Sequence, residues 1–156
     1  RFIGVTLGTG MGSSFIADAE RVTTIKGVPD TGFLFPLDFR GKQADEWFST
    51  RGLLQRFQES DETFATVEDA AAAAQAGNTA IQQAFAMFGT DLATFLSPYI
   101  HEFEAEALVV SGGIAAAYAL FGHALEAGLP VPVVQGELGT RAALLGATEL
   151  ILRHQA

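Results

Sequence analysis

The sequence predicts an α/β domain: a mixed sheet that opens with a β-meander and is covered by helices on both faces. Three observations carry this reading. Short β-branched runs broken by turn residues fill the first 25 positions. Apolar residues at helical spacing dominate from Ala44 to Tyr99. An apolar strand, Ala107-Leu108-Val109-Val110-Ser111, then stands between two helical stretches, as helix-strand-helix units require.

Taken in order, Phe2 to Leu7 is a strand that stops at Gly8-Thr9-Gly10-Met11-Gly12. A second strand follows at Ser14 to Ala17, and a third runs from Arg21 to Ile25 after the turn Asp18-Ala19-Glu20. Gly27, Pro29, Gly32, Pro36 and Gly41 mark residues 27–44 as an irregular loop. Trp47, Phe48, Arg51, Leu54 and Phe57 then give helical spacing, which Ser60-Asp61-Glu62 breaks. Thr66 caps the next helix, whose body is Ala70 to Ala76, with Glu68 and Asp69 well placed in its first turn. The alanine run reads as helix packing, and Gly77-Asn78 closes it.

A long helix is expected from Thr79 to Tyr99. Ile81, Phe85, Phe88, Leu92, Phe95 and Leu96 form its core stripe, and Pro98 should distort or end it. After Gly112-Gly113 a helix over Ala115 to Ala127, a short strand at Pro130 to Val134 and a terminal helix over Gly139 to Arg153 complete the chain. No repeat or linker divides residues 1–156, so one domain is expected.

Composition limits the function classes. With 156 residues, 49% of them hydrophobic and 17% charged, the chain can bury a sizeable core and is not a disordered segment. A net charge of -9 argues against nucleic-acid binding by this domain, because that binding rests on basic side chains against phosphates. The absence of cysteine removes disulfides, thiolate zinc ligands and a thiol nucleophile, and fits a cytoplasmic protein. No apolar run reaches membrane-spanning length. The chain begins at Arg1-Phe2-Ile3, already inside a strand and without an initiator Met, so it is expected to start within a longer protein.

Two glycine loops carry the chemistry. In Gly8-Thr9-Gly10-Met11-Gly12-Ser13-Ser14, glycines permit positive φ and close ligand approach, and successive N–H groups can form an anion-binding nest. A hairpin turn that merely needs glycine explains the same residues. A dinucleotide fingerprint is excluded, because the loop enters a second strand and lacks the required glycine spacing. A Walker A loop is excluded because no Gly-Lys-Ser/Thr occurs. The second loop, Ser111-Gly112-Gly113-Ile114, follows a buried strand, where α/β sheets bind ligands, although close helix packing also explains its glycines.

Together these motifs resemble the ROK family of sugar kinases and regulators, members of the actin-like ATPase superfamily with a ribonuclease H-like fold. Leu7 to Gly12 is similar to the family's second phosphate motif, and Val109 to Ile114 looks like its adenosine motif. Ala72 to Tyr99, with Ala76-Gly77-Asn78 and Leu96-Ser97-Pro98, resembles the long connecting helix; Leu138 to Ala147 resembles the C-terminal one. The resemblance implies the C-terminal domain of a two-domain ATP-dependent kinase for a hexose or amino sugar. Gly8, Thr9, Gly10, Met11 and Gly12 would hold phosphates, and Ser111, Gly112, Gly113 and Ile114 would line the adenosine pocket, with Mg²⁺ accompanying the nucleotide.

The resemblance also implies that the catalytic Asp lies upstream, so this chain alone should be inactive. The family's Glu-x-Gly-His motif finds only Asp30-Thr31-Gly32-Phe33, in which Asp30 can accept a sugar hydroxyl and Phe33 cannot ligate a metal; a turn residue after Pro29 is the plainer reading of Asp30. The cysteine cluster would fall at Arg40-Gly41-Lys42-Gln43-Ala44, and no cysteine is there. Zinc is therefore not expected, and His101, His123 and His154 lack ligand spacing. Asp45, four residues before Ser49, is the sugar-facing acid by resemblance and a helix cap by the simpler reading. A sugar-sensing domain of a ROK-type regulator and a degenerate non-catalytic member are the alternatives. The apolar helices can also serve a homodimer interface, and polyphosphate is an alternative donor.

Overall fold

The computed structural model describes residues 1–136. The helix expected over Gly139 to Arg153, the motif Leu138 to Ala147 and His154 lie outside the described residues. The chain begins with β1 (Phe2–Leu7), β2 (Met11–Ala17) and β3 (Glu20–Val22). A small hairpin of β4 (Asp38–Phe39) and β5 (Lys42–Gln43) leads into α1 (Ala44–Phe48), α2 (Thr50–Gln58), α3 (Val67–Gln75) and α4 (Thr79–Phe103). Then come β6 (Ala107–Ser111), a 3-10 turn (Gly113–Ala117), α5 (Tyr118–Ala127) and β7 (Val133–Gln135).

The main sheet has the order β3-β2-β1-β6-β7. Its meander is antiparallel, whereas β1 with β6 and β6 with β7 are parallel, so the expected mixed sheet is present. Pairing of Ile3 with both Phe15 and Leu108, and of Val5 with Val110, sets one buried row across three strands. Alternation gives that face to the core and leaves Phe2 and Thr6 exposed on the other.

Helix α4 buries the predicted stripe and continues it through Ile100 and Phe103, whose ring stands edge-on to Phe15 at 5.1 Å. Of the two outcomes expected at Pro98, the helix does not end there. Thr94, whose carbonyl loses its donor, and Pro98 both lie on the exposed side, where water can replace the bond, while buried residues hold the helix on either side. Glu104, at φ 55°, ends it instead.

The single helix expected after Ala44 is two. Ser49 interrupts it and accepts a hydrogen bond from the Gly52 N–H at 3.4 Å. Gly52 packs against the Glu46 carbonyl with no room for a Cβ, so glycine lets α2 fold back onto α1. The third strand is shorter than predicted because the chain turns off the sheet edge to dock Gly27, at φ 85°, on the backbone of Phe103. Thr66 and Asn78 cap α3 and α4, accepting from the N–H groups of Asp69 at 3.0 Å and Ile81 at 3.2 Å. The helix expected to begin at Ala115 starts as the 3-10 turn, and only Tyr118 onward is α-helical.

Candidate functional site

Parallel pairing of β1 with β6 brings the ends of the two glycine loops together. A Cβ placed on Gly8 would lie 3.9 Å from the Gly113 nitrogen. In the first loop the Gly8 N–H donates to the Gly10 carbonyl at 3.2 Å, and the Thr50 N–H donates to the Gly8 carbonyl at 2.7 Å. The N–H groups of Thr9 and Gly10 have no protein partner among the described residues. Such adjacent free donors suit an anion. Met11 and Gly12 belong to β2 and not to the turn; the Met11 side chain is core, and Gly12 pairs with Thr6. The expected use of positive φ fails here, since none of Gly8, Gly10 and Gly12 adopts it.

The second loop is built differently. Ser111 Oγ donates to the Val5 carbonyl at 3.3 Å and lies 3.3 Å from Thr6 Oγ1. Gly112 has φ 96°, and a Cβ there would collide with the backbone of Leu7. Gly113 faces open space. Ile114 is buried, so its side chain packs in the core and leaves only its backbone to face a ligand. A groove of about 460 Å³ opens beside Gly113, between Ala116 and Ala117 on one side and Val67, Glu68, Ala71, Ala72 and Gln75 of α3 on the other. Sequence reasoning missed this wall. Ala70 and Ala74 are packing residues, as read, but Ala71 and Ala72 line the groove. Small residues on both walls were the only signal, and topology is needed to pair them.

Asp45 joins the first loop. Its Oδ1 accepts the Met11 N–H at 2.7 Å, and its Oδ2 lies 3.7 Å from Arg51 Nη2. The cap reading is corrected: α1 follows Gln43 without a side-chain cap, and the Asp45 carboxylate reaches back to β2. Asp30 lies exposed in the turn closed by the Gly32 N–H on the Pro29 carbonyl at 2.7 Å, and makes no contact with the loop.

Behind Asp45, the β4–β5 hairpin turns at Arg40-Gly41, both at positive φ, in the segment where resemblance placed a cysteine cluster. Arg40 Nη2 reaches Asp91 Oδ1 at 2.9 Å, and Arg56 Nη2 donates to Asp91 Oδ2 at 2.6 Å, both buried near α4 except for the half-exposed Arg40. Arg40 also stacks over Phe39 at 4.7 Å, and Phe39 meets Trp47 edge-on at 5.7 Å. Charge and aromatic packing thus fasten the segment. Tyr118, following the 3-10 turn, has its hydroxyl pushed up in pKa by partial burial and by a 2.6 Å hydrogen bond to Glu126. Among the described residues no group of three His, Cys, Asp or Glu side chains can hold a metal ion, and no helix is long and apolar enough to cross a membrane.

A glycine turn between antiparallel strands thus stands against a second glycine loop at the end of a parallel strand of the same mixed sheet. The ROK family model matches residues 1–154, and the chain belongs to the ROK family. A putative sugar kinase from Cytophaga hutchinsonii is 21% identical with a TM-score of 0.82, over 97% of this chain and 57% of that one. A ROK family glucokinase from Streptomyces griseus, in complex with glucose and AMPPNP, is 19% identical with a TM-score of 0.75, over 96% and 59%. An inorganic polyphosphate/ATP-glucomannokinase from Arthrobacter is 24% identical with a TM-score of 0.64, over 98% and 47%. These likenesses show the fold, an α/β mixed sheet with helices on both faces. The chain spans about half the length of these structures, from 47% to 59%. Among curated proteins there is no match.

Proposed function

We propose that this chain is the nucleotide-binding part of an ATP-dependent kinase for a hexose or amino sugar. One observation carries the proposal: the turn whose Thr9 and Gly10 N–H groups have no partner among the described residues begins at Gly8, which packs toward Gly113, and Gly113 lines a groove together with alanines of α3 and the 3-10 turn. The loop suits phosphates, and the groove suits a flat adenine with its ribose. Oriented N–H donors stabilise charge on the moving phosphoryl oxygens, which is the main work of a kinase site.

Asp45 touches the first loop through the Met11 N–H, and in this reading it is the sugar-facing acid that the family resemblance implies. Its Oδ1 orients the loop, and Oδ2 remains able to accept from a hydroxyl. Mg²⁺ would accompany the nucleotide. By resemblance to the family, the catalytic Asp is assigned to another domain of a longer protein, and this chain alone is expected to be inactive.

The test is a panel of hexoses and amino sugars with ATP, and separately with polyphosphate, on the full-length protein. Phosphorylation of at least one sugar with ATP is expected, with none by residues 1–156 alone. Absence of turnover with every sugar would overturn the kinase reading and leave a sugar-sensing regulator or a non-catalytic member.

A further inference from the structure

The turn of the first glycine loop offers an anion backbone donors and, close by, an acid. The N–H groups of Thr9 and Gly10 have no partner among the described residues. A Cβ on Gly10 would lie 3.1 Å from Asp45 Oδ1, so that carboxylate stands against the turn itself. The whole chain carries a net charge of -9. A chain of phosphates approaching this loop is repelled unless a cation stands beside it.

Arg51 is that cation. It follows Thr50, whose N–H holds the Gly8 carbonyl at 2.7 Å, and its Nη2 lies 3.7 Å from Asp45 Oδ2. The other described basic side chains are engaged elsewhere. Arg40 and Arg56 hold Asp91, Arg21 lies over the Phe33 ring and Lys42 over the Trp47 ring. Arg1 pairs with Glu104, and Lys26 lines a groove with His101, both beyond the opposite end of β1.

Fold stability does not explain Arg51. It occupies the first turn of α2, where the helix dipole favours an acid and disfavours a cation. Its side chain is 72% exposed, and its contact with Asp45 is longer than a hydrogen bond. An exposed ion pair of this kind contributes little to folding. The guanidinium can therefore exchange Asp45 for a more highly charged anion at small cost.

We infer that Arg51 is the side chain that grips the phosphate tail of the donor, leaving Asp45 for phosphate oxygens seated on the first loop. The inference rests on the kinase reading and deepens it, because neither glycine loop supplies a positive charge. A guanidinium meets two phosphate oxygens at once, and charge placed there stabilises a phosphoryl group in transfer. The recognised chemistry is an oligophosphate, whether the tail of ATP or inorganic polyphosphate.

The test is calorimetric binding of ATP, inorganic tripolyphosphate and adenosine to the full-length protein, with sugar phosphorylation as a second readout. Arg51→Gln should weaken ATP about tenfold or more, as loss of a hydrogen bond to a charged group does. Adenosine affinity and the melting temperature should not change. Arg51→Lys, which keeps the charge but loses the fork, should fall between. Lys26→Gln, the same charge change away from the loop, should bind ATP as wild type does. Weakening of tripolyphosphate together with ATP supports a contact that serves either donor, and weakening of ATP alone supports one made to the nucleotide. An Arg51→Gln protein that binds both as wild type does, and still phosphorylates sugar, overturns the contact and spares the kinase reading. An equal loss of adenosine affinity also overturns it, because Arg51 then shapes the site without touching phosphate. Arg51-dependent ATP binding in a wild type that phosphorylates no sugar keeps the contact and removes the kinase reading.

Discussion

The two glycine loops lie within contact distance of each other, yet the fold holds them by different means. The second is held by its backbone. Gly112 takes φ 96° and presses on Leu7 so closely that no side chain fits. The first is held by side chains and neighbouring helices: Asp45 on the Met11 N–H, and the Thr50 N–H on the Gly8 carbonyl. None of its glycines needs positive φ. Glycine is thus a structural requirement in one loop and conformationally optional in the other, which makes the first loop the better indicator of a ligand.

The sharpest test is Gly112→Ala. Positive φ costs a non-glycine residue about 1–3 kcal/mol, and the collision with Leu7 adds overpacking of similar size. A loss of about 4 kcal/mol in denaturant unfolding is expected, or failure to fold. A loss below about 1 kcal/mol would show that the backbone relaxes freely and would erase the contrast between the loops. The support behind the first loop can be removed with Asp91→Ala. That change leaves the buried Arg56 without its partner and should cost about 3 kcal/mol. Asp91→Leu together with Arg56→Met should recover much of it, because apolar replacement of a buried pair is often neutral. Milder still is Asp45→Ala, which removes one charge-assisted bond from the Met11 N–H and should cost about 1–2 kcal/mol. It should also raise the KM for ATP in the full-length protein. An unchanged KM would mean that the loop keeps its shape without Asp45.

Much of the frame was legible in the sequence because it depends on local pattern. β-branched runs marked the meander, helical spacing marked the α4 stripe, and turn residues marked the two loops. What escaped reading depends on partners far along the chain. Asp45 and Met11 are 34 residues apart, and Arg56 and Asp91 are 35 apart, so neither bond leaves a local trace. Asp45 could be read as a cap because an acid at a helix start commonly is one. Pro98 was overestimated as a stop signal because its exposure, which decides the cost, is a tertiary property. The groove walls were missed for a similar reason, since Ala71 and Ala72 differ from Ala70 and Ala74 only in the direction they face.

The smallest effect on stability belongs to Gly8→Ala, and it decides most about function. The backbone at Gly8 is not in the left-handed region, and the new Cβ would meet only the Gly113 nitrogen, at an ordinary 3.9 Å. Replacing glycine at a compatible position restricts the unfolded chain and stabilises by about 0.4–1 kcal/mol. Unfolding should therefore shift slightly upward or not at all. The same methyl group would stand between the two loops, where the proposal places the phosphates, and should raise the KM for ATP in the full-length protein by about tenfold, a loss of roughly 1.4 kcal/mol in binding. A stable variant with weakened ATP use would separate ligand approach from turn geometry as the reason for glycine. A stable variant with unchanged ATP use would return the loop to a hairpin turn and move the phosphate site elsewhere.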